Sequence, residues 1–307
     1  MSFGLIVDSC FRDHATGRHP ERPERLDSID SAFKEHKILE SCHCLSFEPA
    51  EEEFLEKVHR KEMIERAFAT SAKGGGFLDP DTILSGYSAR VATQAAGASI
   101  ALARAAVQGE FRKGFAVVRP PGHHATHQRS MGFCIFNNIA LAAEAMLELD
   151  SIRKVAIVDF DVHHGNGTQD IFYERGDVFF LSLHEYPHYP GTGQTEETGA
   201  GEGQGTTLNV PLPPGIDQET WFEAFHKGLE AISQYNPDAI LVSAGFDSHR
   251  RDPLGDFPLD EKAYARIGGL LADLAGEHPL ISILEGGYNV DVLGSSVVAY
   301  IDGLRGR

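Results

Sequence analysis

Asp159, Asp161 and His163 stand at alternate positions at the end of an apolar run, Val155-Ala-Ile-Val158, with His164 and Asn166 just beyond. Carboxylates and imidazoles are the side chains that hold divalent metals and relay protons. On a buried segment they are costly unless a cation or hydrogen bonds compensate them. β-Branched residues dominate Val155–Val158 with no alternating polar face, the pattern of a buried strand. If that strand continues, Asp159, Asp161 and His163 share one face.

Four more polar sets each follow a predicted strand: His123-His124, His184, Asp247 and Tyr288. Two carboxylates and one imidazole, Asp161, Asp247 and His163, can hold zinc and leave a position open, the mark of a catalytic site. A metal so held lowers the pKa of a water and polarises a carbonyl. His123 and His124 offer a general base and a general acid. Asp159 can hold a ring proton on one of them, and the Tyr288 hydroxyl can donate to a developing oxyanion.

The elements that must bring these residues together alternate along the chain. Strands are predicted at Phe3–Val7, Phe115–Val118, Val155–Val158, Val178–Leu183, Thr207–Leu212, Ala239–Ser243 and Leu280–Leu284. Helices are predicted at Leu26–His36, Glu51–Thr70, Ser88–Gln108, Asn138–Leu149, Glu219–Tyr235 and Glu261–Ala275, the fifth carrying a core stripe of Trp221, Phe222, Phe225, Leu229 and Ile232. No linker or compositional break interrupts this rhythm. It implies one α/β domain over residues 1–307, three layers thick around a mostly parallel sheet. In such sheets ligands bind beyond the carboxyl ends of the strands, where residues distant in sequence converge.

The chain has 307 residues and a formal charge of −18, which argues against a nucleic-acid binder and is compatible with a cationic partner. No window holds the ~18 uninterrupted apolar residues of a membrane span, and the first residues lack the basic start of a signal peptide. A cytoplasmic protein is the expectation. Cys10, Cys42, Cys44 and Cys134 should be free thiols. The spacing of Cys42-His43-Cys44 suits a zinc finger poorly, and the segment reads as structure or surface. Gly199-Ala-Gly-Glu-Gly-Gln-Gly205 precedes a strand instead of linking a strand to a helix, so it reads as a mobile surface loop and not a phosphate cradle.

Taken together, the motifs resemble the histone deacetylase family, in particular its class II branch with the bacterial deacetylase-like and acetylpolyamine amidohydrolases. The resemblance rests on Arg119-Pro-Pro-Gly-His-His-Ala125, Gly132-Phe-Cys134, Asp159-Phe-Asp-Val-His-His-Gly-Asn-Gly167, Ser182-Leu-His184, Pro190-Gly-Thr-Gly193, Gly245-Phe-Asp247 and Glu285-Gly-Gly-Tyr288. It implies an arginase/deacetylase-like fold and a zinc-dependent deacetylase. Asp161, His163 and Asp247 would hold the zinc, His123 and His124 would be the acid-base pair, Asp159 would orient His123, and Tyr288 would polarise the acyl carbonyl. It further implies a structural potassium ion at Asp159, Asp161, His163, Ser182 and Leu183, and an arginine, Arg25, behind the site. Asn166, where class I members carry an aspartate partnering the second histidine, looks like class II. Gly132 and Phe133 would form one wall of a lysyl tunnel and Tyr189 the other, although many relatives carry Phe at that place.

The implied substrate is an acylated lysine of a peptide or protein, or a small acyl amide. Polyamine-specific relatives carry a glutamate in the loop after the last zinc ligand, where this chain has Leu254. His249, Arg250 and Arg251 would repel a distal ammonium there. The alternatives are an acetylpolyamine amidohydrolase and a catalytically weak acyl-lysine binding protein. Oligomeric state is not legible in the sequence.

Overall fold

β-Branched and aromatic runs without a polar face pair only where both faces are covered, and that is how the sheet is built. The computed structural model of the chain describes residues 2–307. Its first half contains β1 (Phe3–Val7), α1 (Glu24–Glu35), β2 (Cys42–Cys44), α2 (Glu52–Leu55), α3 (Lys61–Ala72), β3 (Gly75–Asp79), β4 (Thr82–Ser85), α4 (Ser88–Val107), β5 (Lys113–Val117) and α5 (Asn138–Leu147). There follow β6 (Val155–Asp159), α6 (Asn166–Phe172), β7 (Val178–Glu185), β8 (Thr207–Leu212), α7 (Gln218–Tyr235), β9 (Ala239–Ala244), α8 (Glu261–Ala275), β10 (Leu280–Leu284) and α9 (Val290–Arg305). Eight strands form one sheet in the order β2-β1-β5-β10-β9-β6-β7-β8. Every pairing in it is parallel, so all its strands end on the same edge.

Every residue of β6, β7, β9 and β10 is buried, as two-sided coverage requires. α1, α9, α8 and α7 pack in succession as one group, while α4 and α5 pack together as another. The result is a single α/β domain, a three-layer sandwich with the core between sheet and helices. A separate antiparallel hairpin, β3 with β4, packs on α3.

Helix ends follow capping chemistry. Asn137, Asp217, Asp260 and Asn289 each accept a backbone N–H at the start of α5, α7, α8 and α9. The helix predicted over Glu51–Thr70 is in fact two, α2 and α3. Arg60 is extended (φ −66°, ψ 143°), and His59 turns inward to bond Thr126 O at 2.9 Å and Asn137 N–H at 2.8 Å. The break at Arg60 sets that ring between both partners. The Gly199–Gly205 loop is folded down, with Ala200 N–H on Tyr173 O (2.8 Å) and Gly205 N–H on Thr198 O (2.7 Å). The cysteines are free thiols, and β2 puts His43 on the opposite face from Cys42 and Cys44. Among the described residues no helix is long and apolar enough to cross a membrane.

Candidate active site

The turn leaving β5 is nailed down before it reaches its two histidines. Arg119 is fully buried; its guanidinium binds both carboxylate oxygens of Glu21 and donates to Phe11 O (3.0 Å) and His14 O (3.1 Å). Three residues on, the N–H groups of Gly122 and His123 donate to Glu285 Oε2 at 2.7 and 3.1 Å. The two rings leave this turn with different partners. His123 Nδ1 is 2.9 Å from Asp159 Oδ2, and His124 Nδ1 is 2.8 Å from Asn166 Oδ1 at the start of α6. Burial works against a charged His123, but Asp159 and Asp161 outweigh it and raise its pKa well above the ordinary value. Burial, His123 and His163 together push His124 well below it. The pKa values of adjacent imidazoles are thus pushed in opposite directions.

Asp159 ends β6, so the pleat does not carry Asp161 and His163 onto a shared face as the alternation suggested. A tight turn gathers them instead: Asp159 Oδ1 accepts the Asp161 N–H (3.2 Å), and Asp161 Oδ1 accepts the His163 N–H (3.0 Å). Asp247 arrives from β9, adjacent in the sheet, and its Oδ1 accepts the Val162 N–H at 2.9 Å. Asp161, His163 and Asp247 offer ligand atoms that all lie within 4.8 Å of one another, and all three are buried.

His163 Nδ1 stands 3.0 Å from Asp161 Oδ1 and 3.2 Å from Asp247 Oδ2. The second contact lies outside hydrogen-bond geometry, which leaves Asp247 Oδ2 buried with no partner among the described residues. Burial and the neighbouring Asp161 raise the Asp247 pKa to about 7, while His123 and His163 overcome burial and lower that of Asp161. Two buried carboxylates that cannot both ionise cheaply, one with an orphaned oxygen, and an imidazole nitrogen between them fit a divalent cation. Gly286 closes the back of this cluster. Its N–H donates to Asp161 Oδ2 (2.9 Å), and a Cβ there would collide with the Asp247 and Asp161 carboxylates.

A pocket of about 370 Å³ leads from the surface to these groups, lined by Gly132, Phe133, His124, His163, Tyr189, Leu254 and Tyr288 among others. Phe133 and Tyr288 meet edge to face with centroids 5.6 Å apart, and the Tyr189 ring stands edge-on to His124 at 5.1 Å. Phe133 sits in the left-handed region (φ 68°), where its N–H reaches Thr82 Oγ at 3.1 Å. At Gly132 a Cβ would run into the His124 ring. The Arg25 guanidinium lies 5.0 Å from the Tyr288 ring centroid and donates to Gly287 O (2.7 Å) and Glu285 O (2.5 Å).

His123, His124, Asp159, Asn166, Asp161, His163, Asp247 and Tyr288 therefore converge as the sequence implied. Ser182 lies beside Asp159 in register, with Leu183 next along β7. His184 faces elsewhere, its ring tilted against His164 with centroids 4.6 Å apart and bonded to Gly193 O at 3.0 Å. The expectation of positive charge at the mouth is corrected. His249 is buried against Tyr264, Arg250 is exposed and Arg251 lies 3.8 Å from Asp291, and none of them lines the pocket. Asp81, Asp252 and Asp256 do. Asp81, Asp252 and His188 went unnoticed in the sequence. Asp81 arrives on a short hairpin without periodic pattern, while the Asp252-Pro253 pair in a loop next to a ligand was the available signal.

The chain matches the family model for the histone deacetylase domain over residues 19–304. It is 40% identical over 296 residues to histone deacetylase 15 of Arabidopsis thaliana, an alignment covering 94% of this chain and 53% of that protein. It is 39% identical to a probable deacetylase of Archaeoglobus fulgidus (95% and 82% covered) and 36% identical to a histone deacetylase-like amidohydrolase of Pseudomonas aeruginosa (98% and 81%). The chain thus spans about half the length of the plant relative and most of the prokaryotic ones. The crystal structure of the HDA15 HD domain superposes with a TM-score of 0.95 at 37% identity, covering 100% of this chain and 89% of that one. With the buried Asp-His-Asp cluster at the strand ends, these similarities make the chain a member of the histone deacetylase family.

Proposed function

We propose that this protein is a zinc-dependent amidohydrolase that removes acetyl or other acyl groups from acylated lysine side chains. The observation that carries the reading is the convergence of Asp161, His163 and Asp247 with a split-pKa histidine pair at the floor of one pocket. Asp161, His163 and Asp247 would hold the zinc, which when bound would supply Lewis acidity for the acyl carbonyl and the attacking water. Asn166 keeps the Nδ1 proton on His124, so that Nε2 is free to accept a proton from the water. His123, charged and steadied by Asp159, stabilises the negative charge that develops and offers a proton towards the departing amine. Tyr288, held neutral by burial, donates its hydroxyl proton as a hydrogen bond to the oxygen of the tetrahedral centre. Phe133, Tyr189 and Leu254 exclude water from a linear alkyl chain. A structural potassium at Asp159, Asp161, His163, Ser182 and Leu183 belongs to the same reading, supported by the adjacency of β6 and β7.

The test is turnover of a fluorogenic acetyl-lysine peptide by zinc-loaded protein. We expect activity that a chelator abolishes and zinc restores. Chelator-indifferent turnover, or none on any acyl amide, would remove the reading. Acetylpolyamine hydrolysis is the second reading, favoured by Asp81, Asp252 and Asp256 lining the mouth with no lysine or arginine among the lining residues. Acetylspermidine hydrolysed at least about tenfold more efficiently than peptide, a difference of about 1.4 kcal/mol in transition-state binding, would establish it instead.

A further inference from the structure

Tyr288 follows Gly286-Gly287, and Gly287 has φ +115°, a conformation open mainly to glycine, so the glycine pair by itself does little to fix the tyrosine backbone ahead of the Asn289 cap of α9. Its position depends on hydrogen bonds made from outside. Arg25 takes the carbonyls of Glu285 and Gly287, and Gly286 N–H is spent on Asp161. The N–H groups of Tyr288 and Asn289 remain, and both go to Asp252 Oδ2, at 2.6 and 3.1 Å. Its other oxygen, Oδ1, accepts the Leu254 N–H at 3.0 Å, and its own N–H is bound by His249 O at 2.7 Å. Asp252 is buried, yet among the described residues its side chain carries no salt bridge. Its charge is met by three backbone N–H groups, by the N-terminus of the sixteen-residue α9 and, without direct contact, by the field of Arg25.

One carboxylate therefore joins the tunnel wall at Pro253-Leu254 to the residue at the tunnel floor. Resting on the amidohydrolase reading, we propose that Asp252 is a positioning residue: it fixes Tyr288 over the acyl carbonyl and ties that placement to the wall formed by Leu254. Its effect on rate runs through Tyr288, since a misplacement of about 1 Å at a reacting group costs on the order of 100-fold.

A double-mutant cycle on the zinc-loaded protein tests this with the fluorogenic acetyl-lysine peptide. We expect Asp252→Ala to lower kcat by about 10- to 100-fold in the native background but less than about 2-fold further in Tyr288→Phe, since the two changes remove one interaction. Asp252→Asn, which keeps a neutral acceptor, should fall between and show the same dependence on Tyr288. Equal losses in both backgrounds overturn the proposal, because general damage does not need the tyrosine hydroxyl. If Asp252→Ala does not fold, the cycle with Asp252→Asn decides. If the native protein hydrolyses no acyl amide, the functional reading fails separately, and amide hydrogen exchange across residues 286–291 still judges the pinning. Faster exchange in Asp252→Asn supports it; unchanged exchange refutes it.

Discussion

The role open to a buried histidine is set by the charges around it as much as by burial. Asp159 and Asp161 raise the His123 pKa against burial, while burial, His123 and His163 lower that of His124, although the two rings are adjacent and only 4.0 Å apart. Asn166→Asp would keep the acceptor and add a charge, raising the His124 pKa. The sign follows directly. A group that must be neutral to accept a proton fails as pH falls through its pKa, so the acidic limb of the kcat/KM profile should move up by about one pH unit or more. Gly132→Ala should cost at least about tenfold in kcat, since its Cβ would displace the His124 ring and its backbone has φ +57°. An unchanged rate in that variant, read in the same assay, would mean that the His124 ring does not need its present seat.

At the scale of elements, the break between α2 and α3 shows tertiary structure overriding helical periodicity. Phe54, Leu55, Val58 and Ile64 sit at helical spacing, but His59 serves a buried network: its Nε2 accepts the Asn137 N–H, and Asn137 in turn caps α5 and binds Ala125 O (3.0 Å) next to His124. Burial depresses the His59 pKa to about 4. Its unfolded value of about 6.5 is higher, so its contribution to stability is complete above that pH and drains away as pH falls towards 4, about 3 kcal/mol in all. Urea denaturation at pH 7 and pH 4.5 should show His59→Gln losing less stability across that interval than the native protein. Equal losses would contradict the neutral buried ring. The β3–β4 hairpin was likewise invisible in the sequence, being short, glycine-rich and without a clear alternation, and it brings Asp81 to the pocket.

Over the whole molecule, the excess of acidic residues and the carboxylates at the mouth act in the same direction. A cationic acetyl-lysine peptide should bind more weakly as salt screens this field, its KM rising several-fold between about 0.05 and 0.5 M ionic strength. An anionic peptide of the same length should show no such rise. Opposite trends would place the relevant field elsewhere. Beneath the field lies a fully buried ion cluster in which Glu21 meets Arg25, Arg119 and His14, with His14 Nε2 3.3 Å from Glu21 Oε2. It locks the N-terminal loop to the turns that carry His123 and Tyr288.

The sequence by itself determined the layered α/β architecture, because buried strands declare themselves as short β-branched runs without a polar face and amphipathic helices by a period of 3.6. It also pointed to the candidate triad Asp161, His163 and Asp247, because carboxylates and imidazoles at strand ends are costly to bury without a compensating partner. Tertiary structure alone decided how those groups meet. Asp161 and His163 converge through a turn after β6, not through the pleat, and Asp247 joins them because β9 is adjacent to β6 in the sheet. It also decided the sign of charge at the mouth, where Arg250 and Arg251 turn outward and Asp81, Asp252 and Asp256 line the opening. Side-chain direction in loops depends on long-range packing and backbone hydrogen bonds, and no local period encodes it.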